Sequence, residues 1–169
     1  MKIGIVGLGF VGLSLTSVLA SKGFNVIGLD VDKEKCDIIS KGKSPFFEPE
    51  LEKTLRKGIK QKLTISNEFS SIIDCDIIFV TVGTPQKADG SIELSMIRKA
   101  ISNIGEIFRK SKKNPILIIK STVIPGTMQN VILPILEKQS GKKAGHEFGL
   151  VSNPEFLQES SAIKDTKYP

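Results

Sequence analysis

A glycine-rich turn near the start of the chain constrains the fold more than any other feature. Residues 7–12 are Gly-Leu-Gly-Phe-Val-Gly, between the apolar run Lys2–Val6 and a helical pattern. In such a sequence Gly7 permits a tight turn, Gly9 a close approach of the backbone to a pyrophosphate, and Gly12 a close helix–strand contact. Free N–H groups at the helix start would bind the phosphates. The turn therefore predicts a dinucleotide site, and a packing turn without ligand is the alternative.

Apolar runs rich in Ile and Val alternate with amphipathic stretches along the chain. The runs carry hydrophobic residues on both faces, as strands of a parallel sheet covered by helices do. The pattern predicts strands at Lys2–Val6, Asn25–Leu29, 63–65, 76–82, 116–120 and 148–152. It predicts helices at 11–21, 32–40, 50–58, 94–110 and 127–139. This alternation predicts an α/β fold of Rossmann type, with a doubly wound, mainly parallel sheet and helices on both faces.

Length and composition fit one domain over residues 1–169. A chain of 169 residues, 40% hydrophobic and 25% charged, can form one core but not two ordinary domains. We recognise no signal peptide and no run long enough to cross a membrane, so we expect a cytoplasmic protein. Residues 162–169 show no pattern of a closing helix or strand. We therefore expect this chain to be one part of a longer protein, shortened by design or by natural truncation.

The net charge of +6 comes from lysines spread over predicted helix faces and loops, and the only arginines are Arg56, Arg98 and Arg109. Base reading and phosphate clamping favour the planar guanidinium group of arginine. We therefore expect a solvated basic surface, with no nucleic-acid and no membrane partner.

The cysteines and the single histidine predict no metal site and no disulfide. Cys36 occupies an apolar position of a predicted helix, and Cys75 precedes a predicted buried strand. Small buried residues are found at such positions, and the spacing matches no metal-ligand pattern. His146 falls in a glycine-rich loop. We expect both cysteines to lie in the core.

Asp30 indicates which dinucleotide the turn binds. It ends the second predicted strand, at the distance from the glycine turn expected of a residue that contacts the adenosine ribose. A carboxylate there accepts hydrogen bonds from the ribose hydroxyls and repels a 2′-phosphate. We therefore expect NAD rather than NADP, although Lys33 and Lys35 nearby could tolerate the extra phosphate. A plain turn residue is the alternative for Asp30.

Four further segments carry a resemblance to a known family. Residues 79–85 are Phe-Val-Thr-Val-Gly-Thr-Pro, 120–127 are Lys-Ser-Thr-Val-Ile-Pro-Gly-Thr, and 153–159 are Asn-Pro-Glu-Phe-Leu-Gln-Glu. Each of these begins at or near the carboxyl end of a predicted strand, where ligands bind in open α/β sheets. With residues 44–51, Ser-Pro-Phe-Phe-Glu-Pro-Glu-Leu, they make the whole chain resemble the NAD-binding domain of the UDP-glucose/GDP-mannose dehydrogenase family.

The resemblance implies a set of cofactor contacts. Together with the glycine turn, these are Gly7, Gly9, Phe10, Val11, Gly12, Asp30, Lys35, Thr84, Ser121, Thr122 and Glu159. It further implies that Thr122 helps to place a catalytic water and that Glu155 assists proton transfer. The residues expected along the nucleotide-sugar edge are Glu155, Phe156, Leu157, Gln158 and Glu159.

Two positions depart from the family pattern. Glu50 stands where a glycine is usual, in a loop before a helix and away from the chemistry. Gln158 stands where arginine or alanine is frequent, which bears on the choice of sugar.

The resemblance implies oxidation of the sugar's 6-hydroxymethyl group to a carboxylate with two NAD. The first hydride transfer gives an aldehyde, a cysteine attacks it, and a second hydride transfer leaves a thioester that water hydrolyses. That cysteine belongs to later domains, so we expect the chain alone to bind NAD and to be inactive. UDP-glucose is the favoured substrate, and the full-length protein is expected to form a homodimer or larger oligomer through its central region.

Other functions fit parts of the sequence. GDP-mannose and UDP-N-acetylmannosamine dehydrogenases share these motifs. A β-hydroxyacid dehydrogenase shares the glycine turn but gives no reason for residues 153–157, Asn-Pro-Glu-Phe-Leu. A non-catalytic NAD-binding sensor is the alternative from another functional class.

Calorimetric titration is the first test of the cofactor prediction. We expect saturable binding of NAD and much weaker binding of NADP, because the Asp30 carboxylate repels a 2′-phosphate. Equal affinity for both would contradict the role given to Asp30.

Overall fold

The computed structural model describes residues 1–168, which form a single six-stranded sheet. The strands are β1 (Lys2–Val6), β2 (Asn25–Leu29), β3 (Leu63–Ser66), β4 (Ile77–Val80), β5 (Ile116–Ile119) and β6 (Gly149–Ser152). All five strand pairings are parallel, in the order β3-β2-β1-β4-β5-β6. This confirms the predicted doubly wound sheet. Pro169, the last residue of the predicted domain, lies outside the described residues.

Six α-helices cover the two faces of the sheet. They are α1 (Phe10–Ser21), α2 (Lys33–Ser40), α3 (Leu51–Ile59), α4 (Ser95–Lys110), α5 (Leu133–Ser140) and α6 (Ala162–Lys167). Helix α1 packs against α3 and α6, and α4 packs against α5. Each group buries its own hydrophobic cluster against the sheet, so the strands have apolar residues on both faces. None of the helices within residues 1–168 is both long enough and apolar enough to cross a membrane.

The order of the strands creates a crevice between β1 and β4. The chain moves outward from β1 to β2 and β3, then returns to β4 on the other side of β1 and continues to β5 and β6. Connections on the two sides therefore diverge at the carboxyl ends of β1 and β4, and such a switch point is where open α/β sheets bind ligands.

Some element boundaries differ from the predicted ones. The fourth strand was predicted to reach residue 82 but ends at Val80, and the predicted helix 127–139 begins as a π-helical turn, Met128–Ile132. There the Leu133 N–H donates to the Met128 carbonyl, five positions back. Pro134 follows; it has no N–H to donate and its ring crowds the carbonyl of residue 130, so the first turn is wide.

The sequence predicts no closing helix or strand at residues 162–169, but Ala162–Lys167 form helix α6. The residues before α6 show little regular spacing of apolar side chains. The helix is fixed by a side chain that is distant in sequence. The buried Glu48 carboxylate accepts the N–H of Ser160 at 3.0 Å and the N–H of Ala162 at 2.9 Å. Glu48 precedes α6 by 114 positions, so no local pattern predicts this contact.

Glu50, immediately before α3, adopts φ of 61°. This left-handed region favours glycine, which accounts for the glycine of the family pattern at this position. The structure also confirms that Cys36 and Cys75 are buried.

The helix–strand contact at Gly12 is the tightest packing constraint in the glycine turn. A Cβ added at Gly12 would lie 1.8 Å from the Gly7 carbonyl oxygen and 2.6 Å from Thr81 Oγ1. We expect Gly12→Ala to lower the free energy of unfolding by about 2 kcal/mol or more, because the backbone must move apart. Urea unfolding followed by circular dichroism measures this change.

Gly9→Ala is the matched control for that experiment. A Cβ at Gly9 meets no atom within 4 Å, and its φ of −75° suits alanine. We expect a change of less than about 0.5 kcal/mol. Equal losses for the two variants would contradict the packing role of Gly12.

Candidate active site

Three adjoining clefts open at the carboxyl ends of the strands. The first, the Asp30 cleft, has a volume of about 330 Å³ and is lined by Gly7, Gly9, Asp30, Lys35 and residues of α4. The second, the Thr122 cleft, is about 240 Å³. The third, the Phe156 cleft, is about 580 Å³. Gly9 and residues 81–83 line both the Asp30 and Thr122 clefts, so these two form one continuous crevice.

The glycine turn places the start of α1 in this crevice. Gly7 has φ of +98° and donates its N–H to the Leu29 carbonyl at 2.8 Å, which fixes the turn against β2. No side chain caps the first turn of α1, so its N–H groups are free to bind an anion. With open space beside Gly9, the turn has the form that a bound pyrophosphate needs.

Thr81 is a positioning residue that the sequence analysis did not identify. It follows β4 directly, and its hydroxyl lies 2.7 Å from the Gly7 carbonyl oxygen and 3.1 Å from that of Val6. This buried contact joins the end of β4 to the glycine turn. The only signal in the sequence is a threonine near the end of the predicted strand 76–82, which in the structure stops at Val80.

The carboxylate of Asp30, immediately after β2, is fixed by three hydrogen bonds. Its Oδ2 accepts the N–H of Leu8 at 2.7 Å and the ammonium of Lys35 at 2.9 Å, and its Oδ1 accepts the N–H of Asp32 at 3.1 Å. Burial alone would raise the pKa of Asp30. The hydrogen bonds and the Lys35 charge outweigh burial and hold that pKa below its ordinary value, so the carboxylate is ionised at neutral pH.

The Asp30 carboxylate can still accept a hydrogen bond from a ligand. A carboxylate oxygen accepts two hydrogen bonds in favourable directions, so Oδ2 is fully used and Oδ1 has one direction left. A ribose hydroxyl can bind Oδ1 directly. A second hydroxyl can bind Oδ2 only when Lys35 moves aside.

The Thr122 cleft is shaped by hydroxyl groups that hold two loops together. Thr84 Oγ1 donates to the Thr122 carbonyl at 2.8 Å, and Ser121 Oγ donates to the Val82 carbonyl at 2.7 Å. The Thr122 hydroxyl forms no hydrogen bond to any of residues 1–168 and is exposed. Thr84 and Ser121 therefore fix the loops, and Thr122, whose hydroxyl has no partner within residues 1–168, lines the cleft. Phe10 and Val11 line the same cleft.

Glu155 and Lys120 form the wall between the Thr122 and Phe156 clefts. Glu155 Oε1 accepts the N–H of Phe156 at 2.7 Å and of Leu157 at 2.9 Å, while Oε2 lies 3.2 Å from Lys120 Nζ. Lys120 also donates to Asn153 Oδ1 at 3.1 Å. The sequence places Lys120 in the motif of residues 120–127 and predicts no separate role for it; the available signal is a lysine at the end of an apolar strand.

The residues predicted along the sugar edge are dispersed. Phe156 and Leu157 line the Phe156 cleft, and the Phe156 side chain is 83% exposed. Gln158 and Glu159 are exposed, and neither is among the residues lining the three clefts. Glu159 lies in a turn before α6. Its roles at the cofactor and the sugar therefore stay predictions.

The family model of the UDP-glucose/GDP-mannose dehydrogenase family, NAD binding domain, matches residues 1–169. The chain belongs to this family. Its cofactor is NAD. The crevice fits that cofactor: Asp30 offers an acceptor at one end, the uncapped start of α1 lies in the middle, and the free Thr122 hydroxyl lies at the other end.

Individual relatives support the assignment over the whole chain. GDP-mannose 6-dehydrogenase of Pseudomonas aeruginosa is 43% identical over all of this chain and 39% of its own length. A crystal structure of a ternary complex of GDP-mannose dehydrogenase from that organism matches with a TM-score of 0.97 at 43% identity, over 100% of this chain and 39% of the other. A putative UDP-glucose 6-dehydrogenase of Bacillus subtilis is 40% identical over all of this chain and 38% of its length. The chain therefore spans about two fifths of these relatives.

Replacing Asp30 tests the Asp30 end of the NAD-binding domain. We expect Asp30→Ala to weaken NAD binding about tenfold or more, equivalent to about 1.4 kcal/mol. We also expect NADP to approach NAD in affinity, because Lys35 and two backbone N–H groups then face the cleft without a carboxylate. Calorimetry with both nucleotides measures the ratio.

Asp32→Ala is the matched control, because Asp32 caps α2 from outside the cleft by accepting the Lys35 N–H at 3.0 Å. We expect a loss of about 1 kcal/mol in stability and an unchanged ratio of NAD to NADP affinity. An unchanged ratio in Asp30→Ala as well would show that another group selects the cofactor.

Proposed function

We propose that the protein containing this chain is a nucleotide-sugar 6-dehydrogenase that oxidises the sugar's 6-hydroxymethyl group to a carboxylate. The observation that carries the proposal is the shared wall of Glu155 and Lys120. It separates the crevice that fits NAD from a larger open cleft on the other side, which has room for a second substrate. NAD, when bound, accepts the hydride.

The residues of the chain have separate tasks in this proposal. Asp30 binds the adenosine ribose, and the start of α1 binds the pyrophosphate. Thr84 and Ser121 hold the loops that place the Thr122 hydroxyl. Thr122 orients a water molecule, and Glu155 accepts or returns a proton at the sugar. Phe156 and Leu157 bind the sugar side of the wall.

The cysteine expected for a thioester step must come from outside this chain. Burial raises the pKa of the Cys36 thiol and raises that of Cys75 to about 11. Both thiols therefore stay protonated at neutral pH, and the thiolate is the nucleophilic form. Neither cysteine is among the residues lining the three clefts. We infer that residues 1–169 alone do not catalyse the reaction.

Two sugars are candidates for the substrate. GDP-mannose is favoured by the relatives with 41% to 45% identity that carry this activity in their names. UDP-glucose, favoured in the sequence analysis, is the second candidate, because a relative with 40% identity is named a putative UDP-glucose 6-dehydrogenase. Assembly through regions that this chain does not span, and a cytoplasmic location, stay predictions.

The protein that carries this chain tests the proposal directly. Incubated with NAD and either GDP-mannose or UDP-glucose, it is expected to form two NADH per sugar oxidised with the preferred substrate. We expect residues 1–169 alone to form none. NADH formation by the chain alone would contradict the inferred outside cysteine, and no turnover of any nucleotide sugar would favour a sensor.

Substitution of Glu155 tests its role in that protein. Glu155→Gln is expected to lower kcat by about 100-fold or more, because the amide cannot take a proton, while NAD still binds. Glu147→Gln is the control, since Glu147 is exposed and precedes β6, whereas Glu155 follows the carboxyl end of that strand. A kcat within threefold of the parent for Glu155→Gln would remove Glu155 from the proposed chemistry.

A further inference from the structure

The ion pair of Lys120 and Glu155 differs from the other ion pairs of the chain. Their side chains are only 13% and 15% exposed, and Lys120 Nζ lies 3.2 Å from Glu155 Oε2. In every other ion pair within residues 1–168, at least one side chain is more than a quarter exposed. Solvent therefore screens the charges of this pair less than those of the others.

The carboxylate of the pair is fixed by the backbone. Glu155 Oε1 accepts the N–H groups of Phe156 and Leu157. Oε2 is buried and accepts no well-aligned hydrogen bond from residues 1–168, although Lys120 lies beside it. The ammonium group of Lys120 and the carboxylate of Glu155 therefore have fixed positions in the wall of the Thr122 cleft.

The crevice determines which half of NAD reaches this wall. Asp30 takes the adenosine ribose at one end, and the start of α1 takes the pyrophosphate in the middle. The nicotinamide half therefore extends into the Thr122 cleft, which Lys120 and Glu155 line. This step rests on the proposed placement of NAD and does not depend on which sugar is the substrate.

The nicotinamide ring is the only part of the cofactor whose charge changes in the reaction. The ring of NAD⁺ carries one positive charge and that of NADH carries none, while the rest of the molecule is the same. A nearby carboxylate therefore favours NAD⁺ over NADH, and a nearby ammonium group favours NADH over NAD⁺.

We propose that the Lys120–Glu155 pair sets the relative affinity of this domain for NAD⁺ and NADH. Glu155 favours the oxidised ring and Lys120 offsets it, so the intact pair leaves the cleft close to neutral. A dehydrogenase that must bind NAD⁺ and release NADH gains from this balance, because neither form is held much more tightly than the other. Lys120 is thus a positioning and charge-balancing residue.

Single substitutions in residues 1–169 test the proposal by a ratio, the Kd of NADH divided by the Kd of NAD⁺. We expect Lys120→Met to raise this ratio and Glu155→Gln to lower it. Each change is on the order of tenfold for a charge close to the ring at intermediate dielectric. A tenfold change corresponds to a shift of about 30 mV in the two-electron potential of the bound cofactor. Calorimetry with each nucleotide gives both constants.

Two further variants separate charge from structural damage. Lys35→Met removes the same charge at the Asp30 end of the crevice, where NAD⁺ and NADH are identical, so both affinities should change together and the ratio should stay unchanged. The double variant Lys120→Met/Glu155→Gln removes both charges and should return the ratio toward that of the parent chain. A purely structural defect would instead weaken binding of both forms alike.

Opposite shifts in the two single variants would support the proposal. Shifts in the same direction, or an unchanged ratio in chains that still bind NAD⁺, would overturn it and leave the placement of NAD intact. Failure of the parent chain to bind either form would overturn the placement itself. Should Lys120→Met fail to fold, Glu155→Gln carries the test alone, because its amide keeps the shape of the carboxylate.

Discussion

The contact between Gly12 and the turn that precedes it is the constraint on which the site depends. The helix α1 starts so close to the Gly7 carbonyl that no side chain fits between them, and the Thr81 hydroxyl bonds that same carbonyl. These two contacts at the Gly7 carbonyl therefore join the turn after β1 to α1 and to the end of β4. Because α1 is held there, its uncapped N–H groups lie in the crevice, and the loops beside it form the walls.

Two carboxylates with the same kinds of partners lie at the two ends of that crevice. Asp30 and Glu155 each accept two backbone N–H groups and lie beside one lysine. Backbone donors fix a carboxylate without a mobile partner, and the lysine balances its charge within a partly buried wall. In the proposed placement of NAD, the same arrangement has two roles, because Asp30 faces the ribose and Glu155 faces the ring that changes charge.

The family assignment and the site geometry answer different questions. The match over residues 1–169 establishes an NAD-binding domain. The Phe156 cleft, with its exposed aromatic side chain, offers one wall to the second substrate that we propose. The chain spans 39% of a relative such as GDP-mannose 6-dehydrogenase, so groups that choose among sugars can lie on the remainder. The proposed substrate rests on the relatives, whereas the proposed charge balance rests on this chain alone.

The sequence by itself determined the six strands, the first five helices and the dinucleotide turn, because apolar periodicity and glycine spacing are local signals. It also identified Asp30, which is set by its distance from the turn. Three contacts were decided by the tertiary structure alone. They are the hydrogen bond from Thr81 to Gly7, 74 positions apart, the hydrogen bonds that Glu48 accepts at the start of α6, and the ion pair of Lys120 with Glu155. These contacts join segments that come together only when the sheet forms. A local sequence pattern therefore cannot predict which groups, so far apart in sequence, will be in contact.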